Sequence, residues 1–402
     1  MAPLRVLELY SGIGGMHCGL AESAISAEVV AAVDVNTTAN VVYKYNFPKT
    51  PLWAKTIEGI TLKEFDALDF DMILMSPPCQ PFTRIGLQGD VSDPRAKSFL
   101  YFLGILPRLQ KLPSYIILEN VKGFESSVAR ENLIKTLQTC GYHYQEFLLS
   151  PTCLGIPNSR LRYFLIAKLQ KEQFAFQVTN QILEGFPACD TMSSFESPCS
   201  VTVKSLGGNI ETDVNIQNVI SHPQCNPIPH SDETILYKLE TAEALERKQS
   251  QNNDSSIQML EEFLEKNEDK DMSQFFLPPK SLLRYALILD IVQTTSRRST
   301  CFTKGYGHYV EGTGSVLQTA TDVEISSAYE SLETLNDEEK LAKLSTLKLR
   351  YFTPKEISNL HGFPLQFGFP EKLTTKQQYR LLGNSLNVHI VAKLITVLLQ
   401  SR

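Results

Sequence analysis

Residues Glu8–Leu20 read ELYSGIGGMHCGL. The run Arg5–Tyr10, RVLELY, leads into this stretch with strand-like apolar character. Residues that open a helix lead out of it. Glycine at 12, 14 and 15 lets the chain turn tightly between the two and lets a ligand approach the backbone closely. A strand, a glycine turn and a helix form the opening unit of an α/β sheet.

The next strand-like run, EVVAAVDV, carries Asp34 at its end, nineteen residues beyond Gly15. An acid in that place binds the two hydroxyls of a ribose. The dinucleotide pattern G-x-G-x-x-G calls for glycine at position 17, where His17 stands. A pyrophosphate is therefore less favoured than a nucleoside without phosphate, such as S-adenosylmethionine. The competing reading is a plain strand-to-helix turn with no ligand.

Further strand-like runs follow: FDMILMS, SYIILEN and RYFLIAKL, with helical spacing between them in SFLYFLGILPRLQKL and RENLIKTLQTCG. This order predicts an α/β fold, a mostly parallel sheet with helices on both faces. Ligands of such sheets sit at the carboxyl ends of the strands. The glycine turn, Asp34, Pro77–Cys79 and Glu119-Asn120 all stand at those ends.

The pattern fades after residue 170. SHPQCNPIPHSD and ERKQSQNNDSS are polar, and residues 188–255 are expected to be a loosely ordered insertion. Helical spacing returns in IQMLEEFLEKN. A smaller unit with strands and tight turns follows. The last stretch, RLLGNSLNVHIVAKLITVLL, is apolar enough to pack back on the large domain as a helix. The expected division is 1–187, 188–255, 256–348 and 349–402.

Composition fits a soluble globular chain, with 43% hydrophobic and 20% charged residues. The start shows no signal-peptide pattern. A cytoplasmic location is expected, with the nucleus as a second compartment. None of the eight cysteines forms a C-x-x-C pair, so no zinc knuckle is expected and each is judged alone. The net charge of −6 is unevenly spread. Residues 171–280 hold 18 acids and 8 bases, whereas Lys340–Arg402 holds 10 bases and 2 acids. A basic face for nucleic acid is compatible with that distribution.

MSPPCQPFT, Met75–Thr83, sets three prolines around Cys79. Proline fixes φ and removes backbone donors, so this frame holds a thiol at a defined angle. A free thiol is only a few per cent ionised at neutral pH yet is intrinsically nucleophilic. Glu119 ends an apolar strand, where burial raises a carboxyl pKa and suits it to hold a proton. Arg160 and Arg162, two apart in NSRLR, point to one face if the segment is extended. Paired guanidiniums suit carbonyl or phosphate oxygens. The competing readings are a buried turn cysteine, a capping acid and two surface arginines. Together the groups describe one chemistry. A thiolate adds to carbon 6 of cytosine, a carboxyl group stabilises N3 and the exocyclic amine, and carbon 5 becomes nucleophilic.

These segments, in order, resemble the eukaryotic cytosine-5 DNA methyltransferase family: LELYSGIGG, DVN, KTIEGI, MSPPCQPFTRIG, LENVKGF, NSRLRYFLIA, FTPKEISNLHGFP and LLGNSLNVHIV. Within it they resemble the small branch that acts on the anticodon loop of aspartate tRNA, whose signature is similar to Cys301-Phe302-Thr303. The resemblance implies a Rossmann-like S-adenosylmethionine-dependent methyltransferase sheet with a smaller target-recognition domain. It implies Cys79 as nucleophile, Glu119 as the N3 contact, and Arg160 and Arg162 as positioning groups. The cofactor pocket would be lined by Ile13, Gly14, Gly15, Asp34, Val35, Ile57, Glu58, Ser76, Pro78, Ser98 and Ser385. Nucleic acid would meet Arg84, Lys122, Arg297, Arg298, Cys301, Phe302, Thr303 and Lys304. The chain departs from the family at Asn158, where glutamine is usual.

The expected activity is methyl transfer to carbon 5 of a cytosine in a tRNA loop, tRNA-Asp favoured, with weak DNA binding and a monomeric enzyme. A DNA cytosine-5 methyltransferase is the alternative. A nucleic-acid-binding protein without catalysis is the third reading.

Overall fold

Alternation of apolar side chains builds the first strand, β1 (Leu4–Leu9): Leu7 and Leu9 face one side of the sheet and Val6 the other. The computed structural model describes residues 2–78, 96–171, 173–187, 241–266 and 271–400. After β1 come α1 (Gly15–Glu22), β2 (Ala27–Val33), α2 (Thr37–Asn46), β3 (Leu52–Trp53), α3 (Leu62–Leu68) and β4 (Met72–Met75). Then follow α4 (Lys97–Ile105), β5 (Tyr115–Val121), α5 (Val128–Thr139), β6 (Tyr142–Leu149) and β7 (Arg162–Leu169).

The seven strands lie in the order β3-β2-β1-β4-β5-β7-β6. β7 is antiparallel to both its neighbours, and the other pairings are parallel. The strand order reverses between β1 and β4, and the crevice beyond their carboxyl ends is where open α/β sheets bind ligands. Ile73 and Met75 of β4 join Phe65, Phe99, Phe102 and Leu133 on one face. Met72 and Leu74 join Met16 and Leu20 of α1 on the other.

The smaller domain begins with α6 (Ala242–Asn253) and α7 (Pro279–Tyr285), and a three-stranded sheet follows. That sheet comprises β8 (Ile291–Val292), β9 (Val316–Gln318) and β10 (Leu349–Arg350), with α8 (Ile325–Tyr329) and α9 (Asp337–Ser345) between the last two strands. The chain ends in α10 (Pro354–Leu360), α11 (Thr375–Gly383) and α12 (Val388–Leu399).

Several expectations are corrected. Residues 242–253 form a helix rather than loose chain, capped by Thr241 and tied by Lys248 to Asp290 at 2.6 Å. The small domain runs on past residue 348, because β10 pairs antiparallel with β9. Among the described residues of the run from Ile257, the expected helix is only a 3-10 turn, Leu260–Phe263, as the backbone pairs with Thr294 and Ser296 instead. The terminal apolar stretch is two helices, broken after Gly383 and restarted by the side chain of Asn387, which accepts from Ile390 N. Thr375–Leu399 has the length and apolar composition of a membrane span, yet Leu394, Ile395 and Leu398 are buried against the sheet.

Candidate active site

The glycine turn carries the chain from β1 into α1 through left-handed backbone at Tyr10, Gly12 and Gly14, with φ of 57°, 53° and 90°. Gly14 caps α1, and a Cβ there would lie 2.3 Å from the Phe47 ring, so only glycine fits. Asp34, at the end of β2, closes the turn from the side. Its Oδ2 accepts from Gly12 N at 2.8 Å and its Oδ1 from Asn36 N at 2.7 Å. Burial pushes its carboxyl up, and these backbone donors pull it back part of the way.

A cavity of about 330 Å³ opens above the carboxyl ends of β1, β2, β4 and β5. Of the expected cofactor residues, Ile13, Gly15, Asp34, Val35, Ser76, Pro78 and Ser385 line it. Gly14 sets the turn from behind. Ile57 is buried in the core beneath. Ser98 and Glu58 stand behind Tyr10: Ser98 Oγ accepts from the Tyr10 hydroxyl at 3.1 Å, and the phenol, raised mainly by burial, is raised further by Glu58. Pro77, expected at a strand end, lines it as well, and so do Tyr10, Ser11, Asn36 and Leu386, which were not singled out in the sequence. The non-glycine left-handed backbone of Tyr10, which turns its side chain to the cavity, has no signature in composition.

The cavity suits a nucleoside-bearing sulfonium cofactor. Asp34 offers a carboxylate, Val35 an exposed apolar surface, and the turn a close backbone approach. Ser11 Oγ is buried at the cavity wall without a hydrogen-bond partner among the described residues. Such an orphan is satisfied by a polar ligand group.

The same cavity brings together three of the four residues expected to be catalytic. Glu119, Arg160 and Arg162 all line it. Arg162 Nε lies 3.6 Å from Glu119 Oε1. Burial raises the Glu119 carboxyl, outweighing the downward pull of Arg162 and Arg160. The backbone just before Cys79 is anchored: Ser76 Oγ donates to Tyr10 O at 3.1 Å, and Asn120 Nδ2 to Pro77 O at 3.4 Å. Cys79 and Arg84 themselves lie outside the described residues.

Arg160 turns out to bind protein. It is buried, and its guanidinium donates to Phe302 O at 2.9 Å, to Gly383 O at 3.1 Å, to Ser385 O, and to Cys301 Sγ at 3.3 Å. One side chain thus ties β7 to the small domain and to the break between α11 and α12. Arg162 adds a 3.6 Å contact to Cys301 Sγ. Burial alone would raise the Cys301 thiol, but the two guanidiniums outweigh it and the net direction is down. Asn158, at the departure from the family pattern, is fully buried and donates to Ser299 Oγ at 3.0 Å and Thr300 O at 3.1 Å. Its shorter amide therefore still reaches the small domain.

The expected nucleic-acid residues divide. Lys122 and Lys304 are exposed. Arg298 is not: it is buried and gives Asp290 two hydrogen bonds, at 3.1 and 2.9 Å. Arg297 bonds Ile257 O and, through its backbone, Asn252 Oδ1. Phe302 is buried in an aromatic cluster with Tyr306 and Phe352, where its large apolar area is removed from water. Cys301 faces the arginines, and Thr303 is half-buried with its N–H on Thr313 O. The Cys-Phe-Thr signature is thus a joint between domains.

The pattern of the C-5 cytosine-specific DNA methylase family matches residues 4–400. The chain is 64% identical over 398 residues to a human protein named tRNA (cytosine(38)-C(5))-methyltransferase, covering 99% of this chain and 100% of that one. It is 38% identical over 410 residues to a Dictyostelium discoideum protein named DNA (cytosine-5)-methyltransferase, covering 99% of this chain and 95% of that one. The crystal structure of a Spodoptera frugiperda DNMT2 mutant superposes with a TM-score of 0.74 at 37% identity, covering 99% of this chain and 100% of that one. With its sheet order and cavity, the chain belongs to the C-5 cytosine-specific DNA methylase family of enzymes.

Proposed function

We propose that this protein methylates carbon 5 of a cytosine in the anticodon loop of a tRNA, tRNA-Asp favoured, using S-adenosylmethionine. The observation that carries the reading is the meeting of Glu119 and Arg162 with the Gly12–Asp34 turn in one cavity. The names of the relatives at 64% identity support tRNA as the substrate class.

Bound in the cavity, S-adenosylmethionine supplies a methyl group activated on a sulfonium. Asp34 would hold its ribose, and Ser11 and Val35 its remaining polar and apolar surface. The Cys79 thiolate adds to cytosine carbon 6, forming a carbon–sulfur bond. Glu119, whose carboxyl is raised by burial, shares a proton with N3 and so stabilises the charge shift on the ring. Carbon 5 becomes an enamine-type nucleophile. After methylation a base takes the carbon 5 proton, the Cys79 thiolate leaves carbon 6, and N3 returns its proton to Glu119, which frees 5-methylcytosine. Arg162 holds Glu119, and Arg160 holds the walls together.

DNA remains the second reading because of the Dictyostelium relative's name. Flipping a base from a duplex costs about a few kcal/mol, and less where it is already single-stranded. Purified protein given methyl-labelled S-adenosylmethionine with tRNA-Asp or with duplex DNA separates the two. Label on tRNA, lost in Cys79→Ala, is expected. Equal or greater label on DNA overturns the RNA assignment.

A further inference from the structure

The loop after the Cys-Phe-Thr joint has a fixed base and a bare aromatic tip. Thr303 N donates to Thr313 O at 2.9 Å, closing the loop. His308 N and Tyr309 N both donate to Gly305 O, at 3.0 and 2.8 Å, and Thr313 Oγ1 donates to Tyr309 O at 2.7 Å. Gly314, at φ +146°, packs so tightly that a Cβ would lie 2.6 Å from the Tyr306 ring and 2.7 Å from Phe302. The backbone under Tyr309 is therefore tied to the buried aromatic cluster.

The Tyr309 side chain contrasts with that anchoring. It is 66% exposed, whereas Tyr306 in the same loop is 2% exposed. The ring lies over Gly305, where a Cβ would meet its Cδ2 at 3.1 Å, and His308 stands edge-on to it with centroids 4.8 Å apart. A flat apolar ring presented on a fixed backbone loses little conformational freedom when another ring covers it.

The position joins this ring to the cavity. Gly383 lines the cavity, and a Cβ on it would lie 2.2 Å from Lys304 N. Lys304, exposed and without an ion pair among the described residues, thus rises from the cavity rim one residue before Gly305. An exposed aromatic face beside an exposed ammonium fits a nucleobase and its phosphate.

We propose that Tyr309, flanked by His308 and Lys304, is a stacking platform for an unpaired base next to the target cytosine in a single-stranded RNA loop. This rests on the RNA reading of the active site and gives it a source of selectivity. A base within a duplex is already stacked on its neighbours. A loop base is free to leave its strand for Tyr309, so the platform rewards loops over helices.

The test uses the full-length protein and a tRNA-Asp anticodon stem–loop with 2-aminopurine beside the target cytosine. Tyr309→Ala should lower kcat/KM for the RNA by roughly 5- to 150-fold, the range seen when a stacking ring is truncated. Tyr309→Phe and Tyr309→Trp should restore most of the loss, and affinity for S-adenosylmethionine and the unfolding midpoint should not move. Wild type and Tyr309→Phe should quench 2-aminopurine fluorescence, and Tyr309→Ala should not. Unchanged kcat/KM in Tyr309→Ala, or equal loss in Ala and Phe variants, overturns the platform while leaving the RNA reading standing. If wild type transfers no methyl to the RNA, that reading fails, and the fluorescence still decides the platform: quenching confined to the aromatic variants supports it, and none overturns it.

Discussion

Arg160 Nη1 donates to the backbone carbonyl of Phe302 at 2.9 Å, across the boundary between the two domains. The same guanidinium serves Gly383 O and Ser385 O. Replacing Arg160 by Met would take the arginine donor from three carbonyls in a buried joint, leaving Phe302 O only the long contact from Cys301 Sγ at 3.8 Å. A buried acceptor left unsatisfied costs about 1–3 kcal/mol. Arg160→Lys should recover little, since one ammonium cannot reproduce the planar fork. Urea unfolding checks this. A loss below about 1 kcal/mol for Arg160→Met would show that the joint holds without the clamp.

Glu119 is expected to govern the alkaline side of the rate profile. Its carboxyl is raised by burial, with Arg162 and Arg160 offsetting only part of the shift. The protonated form therefore persists to higher pH than for an exposed glutamate, near 4.3. As pH rises through the raised value, the donor is lost and kcat/KM should fall. Ionisation of Cys79 works in the opposite direction. Glu119→Gln keeps the shape but cannot pass a proton, and kcat should drop by roughly 10²- to 10⁴-fold. A kcat/KM profile of the variant that keeps the wild-type alkaline limb would remove Glu119 from that role.

The sequence was most legible where the deciding residues are neighbours. The glycine turn and Asp34 were readable because a turn's demands are local, and the cavity lies where the strand pattern put it. The strand β6 was not read. Its inward Gln145 and Glu146 look like surface residues, yet they are buried, held by Gln181 and by Arg130 and Tyr163. Arg298 was misread for the same reason, since Asp290 neutralises it only once the chain has folded. The break between α11 and α12 did leave a signal: Gly383 followed by Asn387 is a helix stop and a new cap. Overall apolarity masked it.

Gly14 offers a test of the turn that reports on the cofactor rather than on the base. A Cβ there would meet Phe47 Cε2 at 2.3 Å, and φ of +90° is strained for any side chain. Gly14→Ala should weaken S-adenosylmethionine binding and cost about 1–3 kcal/mol of stability. Phe47→Ala in the same chain removes the clash but leaves the strained φ. The double variant should therefore recover part of the loss, giving a coupling of about 0.5 kcal/mol or more. Calorimetric titration and urea unfolding of the four proteins read both quantities. Strict additivity would mean that Phe47 does not confine the turn.

His361 sets the acid side of stability. It is fully buried at the end of α10, and neither ring nitrogen has a partner among the described residues. Burial pushes its pKa well below the usual value, and the nearby Arg160 and Arg162 push the same way. The unfolded chain takes up a proton near pH 6.5, whereas the folded chain resists it. Stability therefore falls as pH drops below about 6.5, with a slope of up to about 1.4 kcal/mol per pH unit from this one group. His361→Leu removes the group and two unsatisfied nitrogens. The variant should be nearly as stable as wild type at pH 8 and clearly more stable at pH 5. Urea midpoints at pH 8, 6.5 and 5 measure the difference. A constant offset between the two proteins across that range would place the acid sensitivity elsewhere.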